Sequence, residues 1–200
     1  MKSIGILGGT FNPIHYAHLA MAQAAWGQTV LDEIWFMPSK HPPHKSNCEL
    51  VSELHRKKMI ELAIAKEPCF HFSDYELKWE GTTYSAETLQ RLKADYPEHR
   101  FYFIMGGDSF FQLENWYHPE IIMKCCSILA ISRDGTSLQQ MKVHAEYLHQ
   151  IYQAKVQIVK MDRMEISSSQ IRQNIREGKN ISSLVPEEVA GYIRQHQLYQ

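Results

Sequence analysis

Short apolar runs, separated by stretches with helical spacing, constrain the fold of this chain more than any other feature. The runs predicted as strands lie at 3–7, 33–37, 70–74, 101–105, 127–132 and 156–159. The stretches predicted as helices lie at 15–28, 52–66, 85–96, 138–152, 167–177 and 187–196. Strands that alternate with helices in this way indicate an α/β fold, with a doubly wound, mostly parallel sheet and helices on both faces.

The composition fits a single globular domain over residues 1–200. Hydrophobic residues make up 44% of the chain and charged residues 22%, which is ordinary for a protein that buries a core. Lys and Arg together number 21, and Asp and Glu number 22. The chain therefore lacks the basic excess that broad nucleic-acid or membrane-surface binding requires. We expect no nucleic acid and no membrane among its partners.

The cysteines and the apolar segments indicate a cytoplasmic protein with reduced thiols. None of Cys48, Cys69, Cys125 and Cys126 forms a C-x-x-C pair, so their spacing does not suggest a zinc site. The apolar run at the amino end is too short for a signal peptide. No stretch approaches the roughly 20 apolar residues that span a bilayer.

Glycine and polar residues follow several of the predicted strands. Gly8-Gly9-Thr10 follows the first strand, residues 38–45 follow the second, and Gly106-Gly107-Asp108 follows a central one. Ligands of open parallel sheets bind beyond the carboxyl ends of the strands, where the strand order switches. We therefore expect these segments to form one ligand site.

The strongest local pattern runs from Gly8 to His18. Its glycines let a backbone approach phosphate groups closely, and the helix that follows offers N–H groups to an anion. His15 and His18 lie three residues apart, so both rings project from one face of the first turn and can donate to a transferring phosphate. Two surface histidines after a glycine turn remain the alternative. Zinc is disfavoured because no third ligand is near, and the dinucleotide fingerprint G-x-G-x-x-G is absent.

A second pattern begins the helix predicted at 167–177. It reads I-S-S-S-Q-I-R from Ile166 to Arg172. A serine here can cap the helix, and the N–H groups beside it can bind phosphate. Arg172 lies one turn in and offers a planar set of donors suited to phosphate oxygens. A capped helix with one surface arginine is the alternative explanation of this segment.

Together the two patterns resemble the nucleotidylyltransferase superfamily, through its H-x-G-H-type and I-S-S-T-x-I-R motifs. Within it, the chain resembles the bacterial nicotinate mononucleotide adenylyltransferases from Gly5 to Leu198. The segments that specify this member are Pro42-Pro43-His44-Lys45, Gly81-Thr82-Thr83-Tyr84-Ser85, Thr88-Leu89, Gly106-Gly107-Asp108, Asn115-Trp116, Leu184-Val185-Pro186 and Tyr192-Ile193. Two positions depart from the family pattern, with Asn12 in place of Asp and Ala17 in place of Gly. Neither change removes a group expected to touch phosphate.

The resemblance implies a Rossmann-like fold and a nucleotidyltransferase of NAD biosynthesis. Such an enzyme transfers AMP from ATP to nicotinate mononucleotide and gives deamido-NAD and pyrophosphate, without a covalent intermediate. Mg²⁺ is expected to arrive with ATP rather than in a protein cage. By the same resemblance, the catalytic residues are His15, His18, Lys45 and Arg172. The residues implied to bind ATP are Gly8, Gly9, Thr10, Phe11, His18, Gly106, Asp108, Arg133, Ser167, Ser168 and Arg172.

For nicotinate mononucleotide, the resemblance implies a second set of residues. These are Asn12, His44, Lys45, Ser85, Asp108, Trp116 and Tyr117. Trp116 would stack on the pyridine ring, while backbone N–H groups near Tyr117 and the hydroxyl of Ser85 would meet the carboxylate. Without the resemblance, Trp116 would be read as a core residue. The loop at 38–45 is expected to close over substrate, because Lys45 is assigned to the reaction centre.

Two other functions compete with this hypothesis. A sister adenylyltransferase acting on phosphopantetheine would share both phosphate motifs but lack the region around Trp116. A regulator that senses nucleotides without turnover would not need His15, His18 and Arg172 together. A hydride-transferring enzyme is disfavoured because G-x-G-x-x-G is missing. The sequence leaves open whether the chain forms a homo-oligomer.

Overall fold

The computed structural model describes residues 1–40, 50–133 and 138–200, without the side chain of Arg133. His44 and Lys45 lie outside the described residues, as do residues 41–45 of the loop that is expected to close. The strands are β1 (Ser3–Gly9), β2 (Glu33–Pro38), β3 (Phe70–Phe72), β4 (Arg100–Gly106), β5 (Ser127–Arg133) and β6 (Val156–Met161). The helices are α1 (Tyr16–Gln28), α2 (Glu53–Ile64), α3 (Ser85–Asp95), α4 (Gly107–Phe111), α5 (Pro119–Cys125), α6 (Leu138–Tyr152), α7 (Ser168–Arg176) and α8 (Glu187–Gln195).

The strands of the described residues form one sheet in the order β3-β2-β1-β4-β5-β6, and each neighbouring pair is parallel. The chain builds outward from β1 to β3 on one side and from β4 to β6 on the other. The strand order therefore switches between β1 and β4, which is where a sheet of this kind opens a crevice for ligands. The predicted doubly wound, parallel α/β sheet is confirmed.

Alternate residues of the central strands supply two apolar layers, as the two-residue period of a strand requires. In β1, Ile4 and Ile6 enter one layer and Leu7 enters the other. In β4, Phe103 and Ile104 are divided in the same way. The layer of Ile4 packs against α3, α5 and α6, while that of Leu7 packs against α1, α2, α7 and α8. Helices thus cover both faces of the sheet, as predicted.

The sequence prediction locates every described strand and the longer helices, with ends in error by up to two residues. Strands β1 and β6 continue two residues beyond their predicted ends, whereas β3 stops two residues early. Helices α4 and α5 were missed, because five and seven residues are too few for a helical period to be visible. Among the described helices, none is long and apolar enough to cross a membrane.

Candidate active site

A cavity of about 370 Å³ lies where β1 and β4 end, beside the first turns of α1 and α7. The predicted site residues that line it are Gly8, His15, His18, Gly106, Asp108, Trp116, Ser167 and Ser168. The described residues of the predicted set that do not line it are Gly9, Thr10, Phe11, Asn12, Ser85, Tyr117 and Arg172. Because the strand order switches between β1 and β4, the sheet topology and the lining residues indicate the same place.

The two histidines meet at the start of α1. His15 is the N-cap residue, with extended backbone, and His18 stands in the first turn. Their rings are stacked with centroids 3.7 Å apart, so the predicted common face is observed. The backbone N–H of His15 donates to Nδ1 of His18 at 3.3 Å. Since Nδ1 accepts, a neutral His18 carries its proton on Nε2, which makes that nitrogen a donor.

Phe11 supports this arrangement from the core. Its side chain is 1% exposed, and its ring meets the His18 ring edge-on, with centroids 4.9 Å apart. The Phe11 backbone has a positive φ of 48°, which non-glycine residues adopt mainly where a turn requires it. Any contact that Phe11 makes with a nucleotide would therefore come from its backbone, since its ring is used to pack His18.

Arg56 of α2 joins the loops that follow β1 and β2. Its side chain is fully buried, and Nη1 donates to the carbonyl oxygens of Thr10 at 3.0 Å and Ser39 at 2.7 Å. Burial lowers the pKa of the Arg56 guanidinium, while the nearby Glu53 and Tyr199 raise it. A guanidinium nevertheless stays protonated in proteins. Arg56 thus holds a positive charge behind the loop that leads from Gly8-Gly9 to α1.

The sequence analysis missed Arg56, although a signal was present. Arg56 precedes Met59, Ile60 and Ile64 by three, four and eight residues, and all of them are buried. This spacing places the arginine on the apolar face of its helix. A charged residue on a buried face needs polar partners, and backbone carbonyls of the two loops supply them.

The first turn of α7 is attached to the same loop. Ser167 caps the helix, and its hydroxyl oxygen accepts from the Gln170 N–H at 3.2 Å. The Ser168 hydroxyl donates to the Pro13 carbonyl at 2.9 Å, and Nη1 of Arg172 donates to the Asn12 carbonyl at 3.0 Å. The predicted cap is confirmed, and the second motif is brought beside the first one.

Asn12 is buried in the loop between β1 and α1, with a relative exposure of 4%. Its Oδ1 accepts from the Val51 N–H at 3.3 Å and from the Tyr199 hydroxyl at 2.9 Å. The carboxamide oxygen thus takes part in the internal hydrogen bonding of the loop. A direct role for Asn12 toward nicotinate mononucleotide stays a prediction.

The end of β4 and the segment that follows it also line the cavity. Gly106 ends the strand, and the side chain of Asp108 is exposed at the rim. Trp116 lines the cavity and contacts Phe103 edge-on, with ring centroids 6.1 Å apart. Trp116 therefore contacts the core and also lines the cavity. Its interpretation as a core residue is compatible with a role in stacking on the pyridine ring.

Tyr84, the residue before Ser85, contacts Tyr117. Ser85 is the first residue of α3, and Tyr84 is its N-cap. The ring of Tyr84 lies against that of Tyr117, with centroids 4.4 Å apart. Tyr117 is 48% exposed, so this pair lies at the surface. The contact joins the amino end of α3 to the segment that carries Trp116.

Glu76 anchors the segment that leads into α3, and sequence reasoning did not single it out. Its side chain is buried, and it accepts from Thr83 Oγ1 at 3.1 Å and Thr88 Oγ1 at 2.8 Å. Burial raises the pKa of the Glu76 carboxyl, and the two hydroxyl groups lower it in part. Glu76 thereby holds both sides of the turn that presents Ser85.

A larger cavity, of about 950 Å³, lies at the other end of the sheet. It is lined by the first residues of two strands, Arg100 and Ser127, and by Lys124 in the last turn of α5. Basic residues at the carboxyl ends of helices complement the helix dipole, which accounts for Lys124. The smaller cavity is the better candidate because it combines the strand ends, the helix starts and the two motifs.

Comparison with known proteins assigns the chain to a class. The sequence model of the family described as cytidylyltransferase-like matches residues 6–174. This stretch begins within β1 and ends within α7, so it includes both motifs of the cavity. The chain belongs to the cytidylyltransferase-like family.

Relatives that match over the whole chain narrow the assignment. A Lachnoclostridium phytofermentans protein named "probable nicotinate-nucleotide adenylyltransferase" is 46% identical over 199 residues, with 100% of both chains covered. A protein of the same name from Carboxydothermus hydrogenoformans is 41% identical over 197 residues, with 98% of each chain covered. Within its class, the chain is a member of the nicotinate-nucleotide adenylyltransferase family.

Solved structures agree on the fold. The nicotinic acid mononucleotide adenylyltransferase of Plasmodium falciparum was solved in complexes with APC and with NaAD. Each complex matches with a TM-score of 0.81 at 22% identity, over 100% of this chain and 98% of that one. At this identity the likeness concerns the fold alone, and it agrees with the predicted Rossmann-like sheet.

Proposed function

We propose that this chain transfers AMP from ATP to nicotinate mononucleotide and releases deamido-NAD and pyrophosphate. Membership of the nicotinate-nucleotide adenylyltransferase family supports this reaction. The structural observation that supports it most is the stacked pair of His15 and His18 at the start of α1. Both residues line the cavity where the strand order switches. A helix start with imidazole donors is suited to phosphate rather than to an uncharged ligand.

The reaction depends on correct placement of the two substrates more than on proton transfer by the protein. A phosphate oxygen of nicotinate mononucleotide attacks the α-phosphorus of ATP, and the bond from that phosphorus to the bridging oxygen breaks as pyrophosphate leaves. Nucleophile and leaving group are both anionic, so no general base is needed. The protein contributes alignment of the two phosphates and donors for the charge that builds up between them.

His18 is the donor with the best-defined geometry. Its Nδ1 accepts from the His15 N–H, so Nε2 has the proton to give to an α-phosphate oxygen. We assign Gly8, Gly9 and Thr10 to phosphate contacts through their backbone, and Ser167, Ser168 and Arg172 to the triphosphate from the side of α7. Lys45, His44 and Arg133 complete the proposed set, on the strength of the family resemblance.

The ends of the cavity suggest how the two substrates divide it. Gly106, Asp108 and Trp116 line the same cavity as His15 and His18. We place the pyridine ring against Trp116 and its carboxylate near Ser85 and the Tyr117 backbone. The Tyr84–Tyr117 ring contact supports this placement because it joins the two segments that must supply the donors.

Mg²⁺ fits this site as part of the ATP complex. Among the described residues, no group of three or more His, Cys, Asp or Glu side chains is arranged to hold a metal ion. Asp108 is an acidic residue of the cavity wall, and it could contact water on a metal that triphosphate oxygens carry. The metal would offset the charge of the triphosphate.

The test is a substrate panel. Purified protein is incubated with Mg-ATP and, separately, nicotinate mononucleotide, nicotinamide mononucleotide or phosphopantetheine. Pyrophosphate release and the adenylylated product are measured in each reaction. We expect the fastest turnover with nicotinate mononucleotide and formation of deamido-NAD. Turnover of phosphopantetheine alone, or ATP binding without turnover of any of the three, would overturn the proposal.

A further inference from the structure

The segment that follows α8 reaches the loop between β1 and α1. Leu198 is buried, and its N–H donates to the Ile193 carbonyl at 3.0 Å. The next residue, Tyr199, extends its hydroxyl to Oδ1 of Asn12 at 2.9 Å. The two residues are 187 positions apart in the chain, so this hydrogen bond joins distant segments beside the cavity.

The Tyr199 hydroxyl lies near the guanidinium groups of Arg172 and Arg56. Burial raises the pKa of the Tyr199 phenol, and the two arginines act in the opposite direction. The phenol therefore stays protonated at neutral pH and is a neutral donor. Since the Asn12 Oδ1 can only accept, the direction of the hydrogen bond is defined.

Asn12 links this tyrosine to Arg172. Its side-chain oxygen accepts from Tyr199, and its backbone carbonyl accepts from Arg172 Nη1. Asn12 is 4% exposed, so water cannot readily replace the Tyr199 hydroxyl, and the oxygen would keep the longer bond from the Val51 N–H at 3.3 Å. A shift of Asn12 would move the acceptor of Arg172 and the loop that begins at Gly9.

We propose that Tyr199 is a positioning residue for nucleotidyl transfer: it fixes Asn12, and through Asn12 it sets the placement of Arg172 and of the loop at 10–13. The Tyr199 hydroxyl is hydrogen-bonded to Asn12 Oδ1, so we assign it a role through these groups and not on the substrate. The role rests on the proposed function, in which Arg172 and this loop contact the ATP phosphates.

Tyr199→Phe removes the hydroxyl and keeps the ring. Tyr192→Phe is the matched control, because Tyr192 packs against the same apolar layer and its hydroxyl is 2.9 Å from Nδ1 of His55. We expect Tyr199→Phe to lower kcat/KM about tenfold, the scale of one lost hydrogen bond to a buried group. Tyr192→Phe should stay within about twofold of wild type, while both variants lower Tm by similar amounts.

Combination with Arg172→Lys tests the route of the effect. If Tyr199 acts through Arg172, Tyr199→Phe should change kcat/KM far less in the Arg172→Lys background than in wild type. If the two substitutions lower kcat/KM by factors that simply multiply in the double variant, the effect of Tyr199 does not pass through Arg172. Equal kcat/KM for Tyr199→Phe and Tyr192→Phe in an active enzyme would overturn the positioning role altogether.

Hydrogen exchange separates this inference from the proposed function, because it needs no turnover. We expect faster amide exchange at 10–15 in Tyr199→Phe and unchanged exchange there in Tyr192→Phe. Unchanged exchange in both variants would show that Tyr199 does not hold the loop, whatever reaction the protein catalyses. An inactive wild type with faster exchange in Tyr199→Phe would overturn the proposed function and, with it, the role in transfer.

Discussion

At the scale of single residues, one hydrogen bond decides what His18 can do. The His15 N–H donates to Nδ1 of His18, the His15 ring stacks on the His18 ring, and the Phe11 ring contacts it edge-on. The imidazole is therefore oriented before any substrate binds. Preorganised donors of this kind stabilise charge in a transition state without a cost of reorganisation.

His18→Ala should lower kcat by a factor of about 10²–10³, because it removes one oriented donor to the transferring phosphate. The fold should survive, since His18 is only partly buried. The measurement is steady-state turnover with Mg-ATP and nicotinate mononucleotide, alongside far-UV circular dichroism. His71→Ala, at an exposed position of β3, is the control. Turnover near wild type in folded His18→Ala would rule out this role.

Arg172→Lys should lower activity strongly, although lysine keeps the positive charge. Arg172 donates through Nη1 to the Asn12 carbonyl and through Nη2 to the Ser169 hydroxyl at 3.5 Å, and an ammonium cannot reproduce this fork. We expect a higher KM for ATP and a lower kcat, each by about tenfold. Arg176→Lys, at an exposed position one turn further along α7, should have little effect on either. Unchanged ATP titration and rate for Arg172→Lys would make Arg172 a purely structural residue.

At the scale of elements, the 3-10 turn at Glu76–Lys78 prepares the start of α3. Glu76 of this turn accepts from Thr83, just before the helix, and from Thr88, one turn inside it. The carboxylate thus ties the turn to both sides of the helix start. Because α3 presents Ser85, this interaction reaches the proposed nicotinate end of the cavity.

Glu76→Gln should remove a pH dependence of stability. Burial raises the folded-state pKa of Glu76 above its unfolded value, so the folded protein binds this proton more tightly. The contribution of Glu76 to the free energy of unfolding is then fully present below the unfolded pKa and is lost as pH rises through the folded pKa. Glutamine keeps the shape and does not ionise. We therefore expect Glu76→Gln to gain stability over wild type as pH rises.

Urea unfolding at several pH values from about 4, near the ordinary glutamate pKa, to about 8 measures the free energy of unfolding of Glu76→Gln and wild type. Glu80→Gln, at an exposed position of the same segment, is the control and should show no such trend. A difference between Glu76→Gln and wild type that does not change with pH would contradict the assignment.

At the scale of the whole molecule, the parts that sequence predicts are those with a local signal. Apolar runs define each described strand, and the position of Gly8-Gly9 at the end of β1 and of Gly106 at the end of β4 predicts where the cavity opens. The contact between Tyr199 and Asn12 has no such signal, because the two residues are far apart in the chain and each is unremarkable in its own segment. Glu76 was missed for a similar reason, since nothing in its neighbours indicates that a lone glutamate is buried.

The last prediction depends on two distant segments meeting, and it concerns the choice of substrate. Nicotinate mononucleotide should be preferred to nicotinamide mononucleotide, because the proposed pocket consists of donors from Ser85 and the Tyr117 backbone. A carboxylate only accepts, and hydrogen bonds to a charged group are the stronger kind. A carboxamide would turn its NH₂ toward one of these donors, and that donor of the pocket would be left unpaired, which costs about 1–3 kcal/mol. This corresponds to about ten- to a hundredfold in kcat/KM.

Two acidic residues of these segments, Glu76 and Glu114, are engaged elsewhere, which supports the same preference. Glu76 accepts from the threonines that flank the start of α3, and Glu114 is hydrogen-bonded to the Tyr147 hydroxyl. The deciding measurement is the ratio of kcat/KM for the two mononucleotides at saturating Mg-ATP. Ser85→Ala should reduce that ratio, whereas Ser182→Ala, at an exposed position after α7, should not. A wild-type ratio near one, or one that favours the amide, would show that the pocket also offers an acceptor, even if the transferase chemistry is correct.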